Sequence, residues 1–455
     1  MIHLECQKYL LRLLSQLRPA HGPLAGFKWA PWGVLAAGLS INLQAQTLPE
    51  VVNQALQAYP SIQAAAAQTS AARADIARAR SAHYPQLGMS ATANAYSSGV
   101  FPSGTSRTAL SPTAKLNLWS GGKIEAEVER AQALTQAAEF SEASTLDDVA
   151  QLAAEAYLNW AKTADLYSLA VHNVNAHQDT LSDIRKIVEV DKGRRADYEQ
   201  ALVRMESAQL AMQQRKSDFT QAIQRVQRFW RTDMDARPVG VDKAVAQTGP
   251  LGNIPDTLAQ AMAMVSPQLP AIAQARAKVL AAQAAVRVAK GQQWPTVDFT
   301  VSRQQNSATG RLEALSQLQV NAPLYNGGGS TAAVEAAVGQ LKAAEFAQEE
   351  AKILAREKVA LAWQEWASAK GRAATGSKQS LVGDKLVDAY RQQFRIAKRS
   401  LLDLLNVQAD AFGYRTAAQA AFHDERLARV RLLAAAGDLA NRFAAEPGRL
   451  LTPAP

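Results

Sequence analysis

The sequence predicts a mainly α-helical protein with a small β part: a long helical barrel plus four strands per chain, contributing to a trimeric, twelve-stranded transmembrane β-barrel. Three observations carry this. First, Leu118-Trp119-Ser120-Gly121-Gly122 returns 206 positions later as Leu324-Tyr325-Asn326-Gly327-Gly328, and Phe140, Trp160 and Asp197 match Phe346, Trp366 and Asp403 at the same shift. Pro60 and Pro85 recur as Pro270 and Pro295 at a shift of 210, so four residues changed between positions 85 and 118, inside one hairpin. A unit of about 200 residues is far longer than a solenoid repeat, which leaves two fused halves. Second, Gly121 to about Val190 and Gly327 to about Ile396 are free of proline and rich in good helix formers. Each such stretch makes a rod of about 105 Å, which needs partners along its length. Third, four segments alternate with period two instead of following the helical period.

The elements follow in order. Residues 1–45 are expected to be an export signal: Lys8, Arg12, Arg18 and Lys28 precede the apolar stretch Val34 to Leu43, which is too short to span a bilayer. Cys6, the single cysteine, lies in that leader, so the mature chain offers no disulfide or thiolate metal site. The net charge of +9 falls to +6 without residues 1–45 and is spread along the chain, which gives no basis for nucleic-acid binding. The first repeat is placed at 46–240 (helix, β-hairpin 86–119, long helical hairpin 121–231) and a linker at 241–256. The second repeat is placed at 257–443 (helix, β-hairpin 296–324, long helical hairpin 327–442), with a flexible tail at 444–455.

In the first hairpin Leu87, Met89, Ala91, Ala93 and Ala95 share one face, opposite Ser90, Thr92 and Asn94; Ala114, Leu116 and Leu118 then oppose Lys115 and Asn117. In the second, Val297, Phe299 and Val301 alternate with Asp298, Thr300 and Ser302, then Leu318, Val320 and Ala322 with Gln317, Gln319 and Asn321. Runs of about ten residues suit tilted membrane strands. Four strands cannot close a barrel, whereas three copies supply twelve and remove the edges. Along the rods, Ala131, Ala137 and Ala138, and Ala332, Ala336, Ala343 and Ala347, are expected to let helix axes approach closely. Tyr157 with Trp160, and Trp363 with Trp366, are expected to pack at a collar of crowded helices.

No residue pattern points to catalysis, a cofactor or a metal. His172 and His177 are five apart, off a shared helix face. Gly121-Gly122-Lys123 is followed by Ile124, where a phosphate loop needs Ser or Thr, and Gly327-Gly328-Gly329-Ser330 has no Lys. Gly121, Gly122, Gly327 and Gly328 are read instead as joints between strand and rod. At the rods' far ends the helix breaks around Asp191 to Asp197 and around Ala397 to Asp403. Asp197 and Asp403 each precede or open a new helix, which suits the helix dipole; repetition by symmetry would alternatively turn each acid into a ring around a pore.

These features together resemble the TolC family of outer-membrane channel-tunnels over Thr47 to about Phe443. The stretch Tyr390 to Gln408 is most similar to the branch serving type I secretion, including exporters of large adhesins. The resemblance implies a homotrimer in the outer membrane with its helical tunnel in the periplasm. Its closed tip would open when a periplasmic adaptor docks with an inner-membrane ABC transporter or other pump. By position it implies that Asp403 belongs to an acidic ring and that Arg399 pairs with Asp197. Phe394 stands where a constriction tyrosine is usual, and Asn406 where a second acid is usual. Ala397 and Asp191 replace common turn glycines. Adaptor contacts are implied for Lys192, Gly193, Arg194 and Arg195 and for Lys398, Arg399 and Ser400. The same fold also serves small-molecule or metal efflux, and a periplasmic coiled-coil adaptor is the reading from another class.

Overall fold

The computed structural model describes residues 47–93, 108–230, 254–305 and 311–443. The predicted leader, the loops at 94–107 and 306–310, most of the linker and the tail lie outside the described residues. In chain order come α1 (Leu48–Ala58), α2 (Pro60–Ser81), β1 (Gln86–Ala93), β2 (Thr108–Trp119), α3 (Lys123–Val190) and α4 (Arg195–Gln227). The second half supplies α5 (Leu258–Ala263), α6 (Pro270–Gly291), β3 (Thr296–Gln305), β4 (Leu312–Asn321), α7 (Gly329–Arg395), α8 (Leu401–Ala435) and α9 (Leu439–Phe443).

The prolines that mark the duplication have matching structural jobs. Pro60 and Pro270 occupy the first position of α2 and α6, where a missing N–H costs nothing, and Pro85 and Pro295 stand just before β1 and β3. The 68 residues of α3 and 67 of α7 are continuous helices of about 100 Å. Each has two shorter helices packed along it, α2 and α4 beside α3, α6 and α8 beside α7, while α6 also packs on α3. Long helices of low amphipathicity are stable only with such company.

The largest core lies at mid-length, where α1 and α9 strap across α3 and the ends of α4 and α8. Leu48, Val51, Tyr157, Leu158, Leu433 and Leu439 are fully or almost fully buried there. Each such burial contributes about 1.5–3 kcal/mol. Tyr157, Trp160 and Trp366 are packing residues, as the spacing predicts, and Trp363 and Trp366 also donate from Nε1, to Pro255 O at 3.1 Å and Glu425 Oε1 at 2.9 Å.

One acid at this waist has no ion-pair partner among the described residues. Asp147 of α3 is buried and accepts from the Ala440 amide at 2.8 Å, fastening α9. Burial, with lesser contributions from Asp148 and Asp438, pushes its carboxyl up to about 6. A folded-state value above the unfolded one stabilises the fold at low pH, and that contribution is lost as pH rises from about 4 to about 6. Asp147→Asn keeps an acceptor for Ala440. Its thermal unfolding midpoint is expected to rise relative to wild type between pH 5 and pH 8, by an amount equivalent to about 1.4 kcal/mol. A difference that does not vary with pH would remove this assignment.

The sheet has the order β1-β2-β3-β4, antiparallel throughout, with an irregularity at Asn117/Trp119. β1 and β4 are open edges. The alanines of the two rods behave differently. Ala131 and Ala137 are buried within the chain, whereas Ala332, Ala336, Ala343 and Ala347 are exposed, and Ala337 makes the close contact instead. The exposed face of α7 also carries Phe346, Ile353 and Leu361, at 77%, 58% and 63% exposure, so it has no partner inside the chain.

Candidate functional site

Three zones along the rod concentrate the unusual residues. The first joins sheet to helix. Gly121, Gly122, Gly327 and Gly328 all have positive φ, between 64° and 84°, and Gly122 and Gly328 cap α3 and α7 in the left-handed region. They are turns that demand glycine, a stronger statement than the flexible joints read from sequence. The Lys123 amide closes the first turn on Ser120 O at 3.2 Å. In the second copy Asn326 Oδ1 accepts from the Ser330 amide at 3.3 Å. Trp119 meets Trp294 edge to face at 6.4 Å, and Tyr84, Trp294 and Tyr325 are exposed at the same level. Exposed aromatics at one end of a strand set mark a membrane interface.

The second zone is the sheet, and its polarity is inverted relative to a soluble domain. Register places Leu87 with Ala114 and Val301, and Leu116 with Phe299 and Leu318, on one continuous apolar face. That face is the bare one: Leu87, Met89, Leu318 and Val320 are 83%, 69%, 61% and 62% exposed. On the polar face Asp298 and Ser302 of β3 are buried, while Ser90, Lys115, Gln317 and Gln319 are exposed. Asp298 there accepts from Lys115 Nζ at 2.9 Å and from Asn117 Nδ2 at 2.9 Å. Apolar-out and polar-in is the arrangement of a strand set that faces lipid and lines a pore. Among the described residues no helix is long and apolar enough to cross a membrane.

The third zone is the far tip, where the two helical hairpins meet. Ile184, Ala201, Leu401 and Leu405 form a small buried cluster, with Tyr198 and Phe394 against it. The two turns differ in construction. The first is a 3-10 turn, Lys192–Arg194, capped by Asp191, whose side chain accepts from the Gly193 amide at 3.0 Å; Asp191 is extended, so glycine is not required there. The second ends α7 with Lys398 N donating to Gln393 O at 2.9 Å and Ala397 N to Phe394 O at 3.0 Å, which is a Schellman closure. Ala397 takes the left-handed position, with φ 58°, that glycine normally fills.

The acids are held locally. Asp197 Oδ2 pairs with Arg194 at 2.7 Å, three residues away in the first turn of α4. Asp403 is the third residue of α8 and completes a capping box with Ser400, whose hydroxyl donates to it at 2.8 Å and whose amide donates at 3.3 Å. Those two bonds, with a smaller contribution from Arg399, hold the Asp403 carboxyl below the usual range. The expected pair of Arg399 with Asp197 is not made within the chain. Arg399 lies over the Tyr390 ring at 4.6 Å and donates to Gln393 Oε1 at 3.1 Å. The physical reason is proximity in sequence: an i,i+3 partner on a helical turn is available to Asp197 without ordering a second loop. That spacing was legible and points to Arg194.

Phe394 is half-buried with the Arg194 guanidinium 6.0 Å from its ring, and Asn406 accepts from Arg204 at 3.3 Å. Lys192, Gly193, Arg195, Lys398, Arg399 and Ser400 are exposed at the tip, while Arg194 is half-buried in its ion pair. Just above, a polar layer that sequence reading missed is buried between α3 and α8: Gln408 Nε2 donates to Thr180 Oγ1 at 3.3 Å, beside His177, which burial and then Arg204 keep on the neutral side.

Ala397 carries a testable cost. A left-handed alanine is less favourable than glycine by about 1 kcal/mol. Ala397→Gly is therefore expected to slow hydrogen exchange of the Ala397 and Lys398 amide positions by roughly fivefold. Unchanged exchange at both would show that the turn is unstrained.

A lipid-facing sheet, an aromatic girdle at its base and a tunnel wall of 100-Å helices define one wall segment of an outer-membrane duct with a periplasmic helical tunnel. The chain belongs to the outer membrane efflux protein family, whose sequence profile matches residues 51–230 and 267–438. It is 25% identical to Protein CyaE of Bordetella pertussis over 408 residues, covering 86% of this chain and 84% of that one. It is 23% identical to outer membrane efflux protein BepC of Brucella suis over 372 residues, covering 80% and 79%. Among solved structures, CusC superposes with a TM-score of 0.74 at 17% identity, over 86% of this chain and 92% of CusC. VceC of Vibrio cholerae gives 0.72 at 16%, over 86% and 96%, and these likenesses concern the fold. The family is one of ducts rather than enzymes, and its channels work as trimers with periplasmic adaptors and inner-membrane transporters.

Proposed function

We propose that this chain is the exit duct of a type I secretion system: a homotrimer through which an unfolded protein leaves the cell, driven by an inner-membrane ABC transporter and coupled by a periplasmic adaptor. The observation that carries the reading is the tip at Tyr390 to Gln408, whose sequence is similar to the secretion branch and which packs directly against the other helical turn. Trimer formation is supported by what one chain leaves open. β1 and β4 are unpaired edges, and α7 presents an apolar face with small alanines. Edges of two different kinds join head to tail and close as a ring.

The gate is assigned to Asp197, Phe394, Arg399, Asp403 and Asn406. Three Asp403 carboxylates, kept ionised by Ser400, form the acidic ring; one ring results because Asn406 carries no charge. Asp197 fastens the first turn through Arg194, and Arg399, exposed over Tyr390 in the second turn, is the group available to a neighbouring chain. Lys192, Gly193, Arg195, Lys398 and Ser400 form the docking surface for the adaptor. A second reading, efflux of small molecules or metals, is favoured by the likeness to BepC, named an efflux protein. A periplasmic adaptor or structural protein is set aside by the family and by the bare apolar sheet.

The test is complementation in cells lacking their own channel, with an ABC transporter and adaptor of a type I secretion system supplied together with this chain. Appearance of the transporter's protein substrate in the medium is expected. Restored resistance to small toxic compounds without protein release would replace secretion with efflux.

A further inference from the structure

The apolar face of the sheet is broken by one charge. Arg303 continues the row Val297, Phe299, Val301 and pairs with Ala314 on β4, so it belongs to the lipid-facing side. It is exposed and has no ion-pair or hydrogen-bond partner among the described residues. Beside it a groove of about 570 Å³ runs across the strands, lined by Leu87, Met89, Pro112, Ala114 and Val301. Its depth has a simple origin. Pro112, Ala114 and Ala314 are short side chains set among longer ones, and they leave a furrow between ridges.

Height in the membrane follows from the register. Val297 pairs with Trp119 at the aromatic girdle, and Arg303 is six residues further along β3. That is about 20 Å along the strand and about 15 Å along the membrane normal for a tilted barrel strand. An apolar band is about 25 Å tall, so Arg303 enters it from the side opposite the tunnel, and its flexible stem reaches the outer headgroups. Outer-leaflet lipids of an outer membrane are phosphorylated glycolipids with several acyl chains, while phospholipids occupy the inner leaflet. Guanidinium is the side chain best suited to phosphate.

We propose that this surface is a specific lipid site: the groove seats an acyl chain of a glycolipid of the lipid A class, and Arg303 binds its phosphate. The site rests on the outer-membrane placement alone and not on the choice between secretion and efflux.

Protein purified from outer membranes is compared by native mass spectrometry with Arg303→Gln and Ala314→Leu. Wild type is expected to retain lipid A, and Arg303→Gln about fivefold less, as loss of a charge-assisted contact implies. Ala314→Leu is expected to retain less as well, with its charge intact, because it fills the furrow. After lipid removal, added lipid A should raise the thermal unfolding midpoint of wild type, and the dephosphorylated form should raise it much less. Equal retention by Arg303→Gln, or an equal response to dephosphorylated lipid A, overturns the phosphate contact. An equal response to phosphatidylglycerol overturns the choice of glycolipid. If Arg303→Gln does not assemble, Arg303→Lys is expected to retain most of the lipid, and wild-type retention by Ala314→Leu overturns the groove.

Discussion

Replacing Gly121 by alanine is expected to prevent assembly of the duct. Two costs combine at this residue. Its φ of 64° is unfavourable for any residue with a Cβ, and a Cβ there would lie 2.4 Å from Trp294 Cβ and 3.3 Å from Gly291 O. The first effect alone costs about 1–2 kcal/mol. The second cannot be relieved by rotating a side chain, because the contact is with the Cβ of Trp294 and with backbone. Overpacking of that kind adds about 1–3 kcal/mol. The equivalent substitution Gly327→Ala meets a similar φ of 67° but nothing within 4 Å, so it should pay only the first cost. Outer-membrane yield and the heat resistance of the oligomer on electrophoresis measure the difference. Gly327→Ala should remain assembled with reduced heat resistance, and Gly121→Ala should be lost. Equal behaviour of the two would mean that the Trp294 contact yields freely.

The second large effect is expected at the tip. Arg399→Glu and Asp197→Arg should each raise the conductance of the channel in a planar bilayer. One exposed polar contact contributes little, about 0.5 kcal/mol, but threefold repetition brings the change to about 1.5 kcal/mol and shifts the open-to-closed ratio by roughly tenfold. The structure refines the comparison. Asp197 is paired with Arg194 inside its own chain, so Arg194→Gln frees the acid without reversing its charge. If Arg194→Gln opens the channel as far as Asp197→Arg does, the gate is held by the shape of the first turn. If it leaves conductance near wild type, the acid acts across the subunit boundary. Unchanged conductance in Arg399→Glu and Asp197→Arg, with intact oligomers, removes the gate from both residues.

How much was legible differs by zone, and the differences have causes. The sheet was readable in detail because period-two alternation maps directly onto two faces. Leu87, Ala114, Phe299 and Leu318 do fall on one side. The joints were readable because Gly-Gly pairs occur at both strand ends, although only backbone angles show that glycine is demanded and that Gly121 alone is hemmed in. The rods were readable from composition, but their contacts were not. Alanine suits a close helix pair and an exposed face equally, so Ala131 and Ala336 looked alike while one is buried and the other is bare. At the tip the residue types were recognised, while the partners that Arg399 takes within its own chain were not. Its choice of Tyr390 and Gln393 depends on how the Schellman turn aims the side chain, and a turn that uses Ala397 in place of glycine gives little sign of itself.

By itself, the sequence determined the duplication, the two long rods, the two-faced alternation of the four strands and the lack of an apolar run of helix-spanning length between residues 46 and 455. Each is a property of periodicity, composition or repeat register, and survives without knowing any neighbour. Tertiary structure decided the rest: that the strands lie in the order β1 to β4, that Asp147 is buried against α9, that Asp197 is held by Arg194, and that Arg303 breaks the lipid-facing row beside a groove. These depend on which side chains from distant parts of the chain arrive within a few ångströms of each other. Interaction energies fall off over that same distance, so a one-dimensional pattern cannot rank the competing partners.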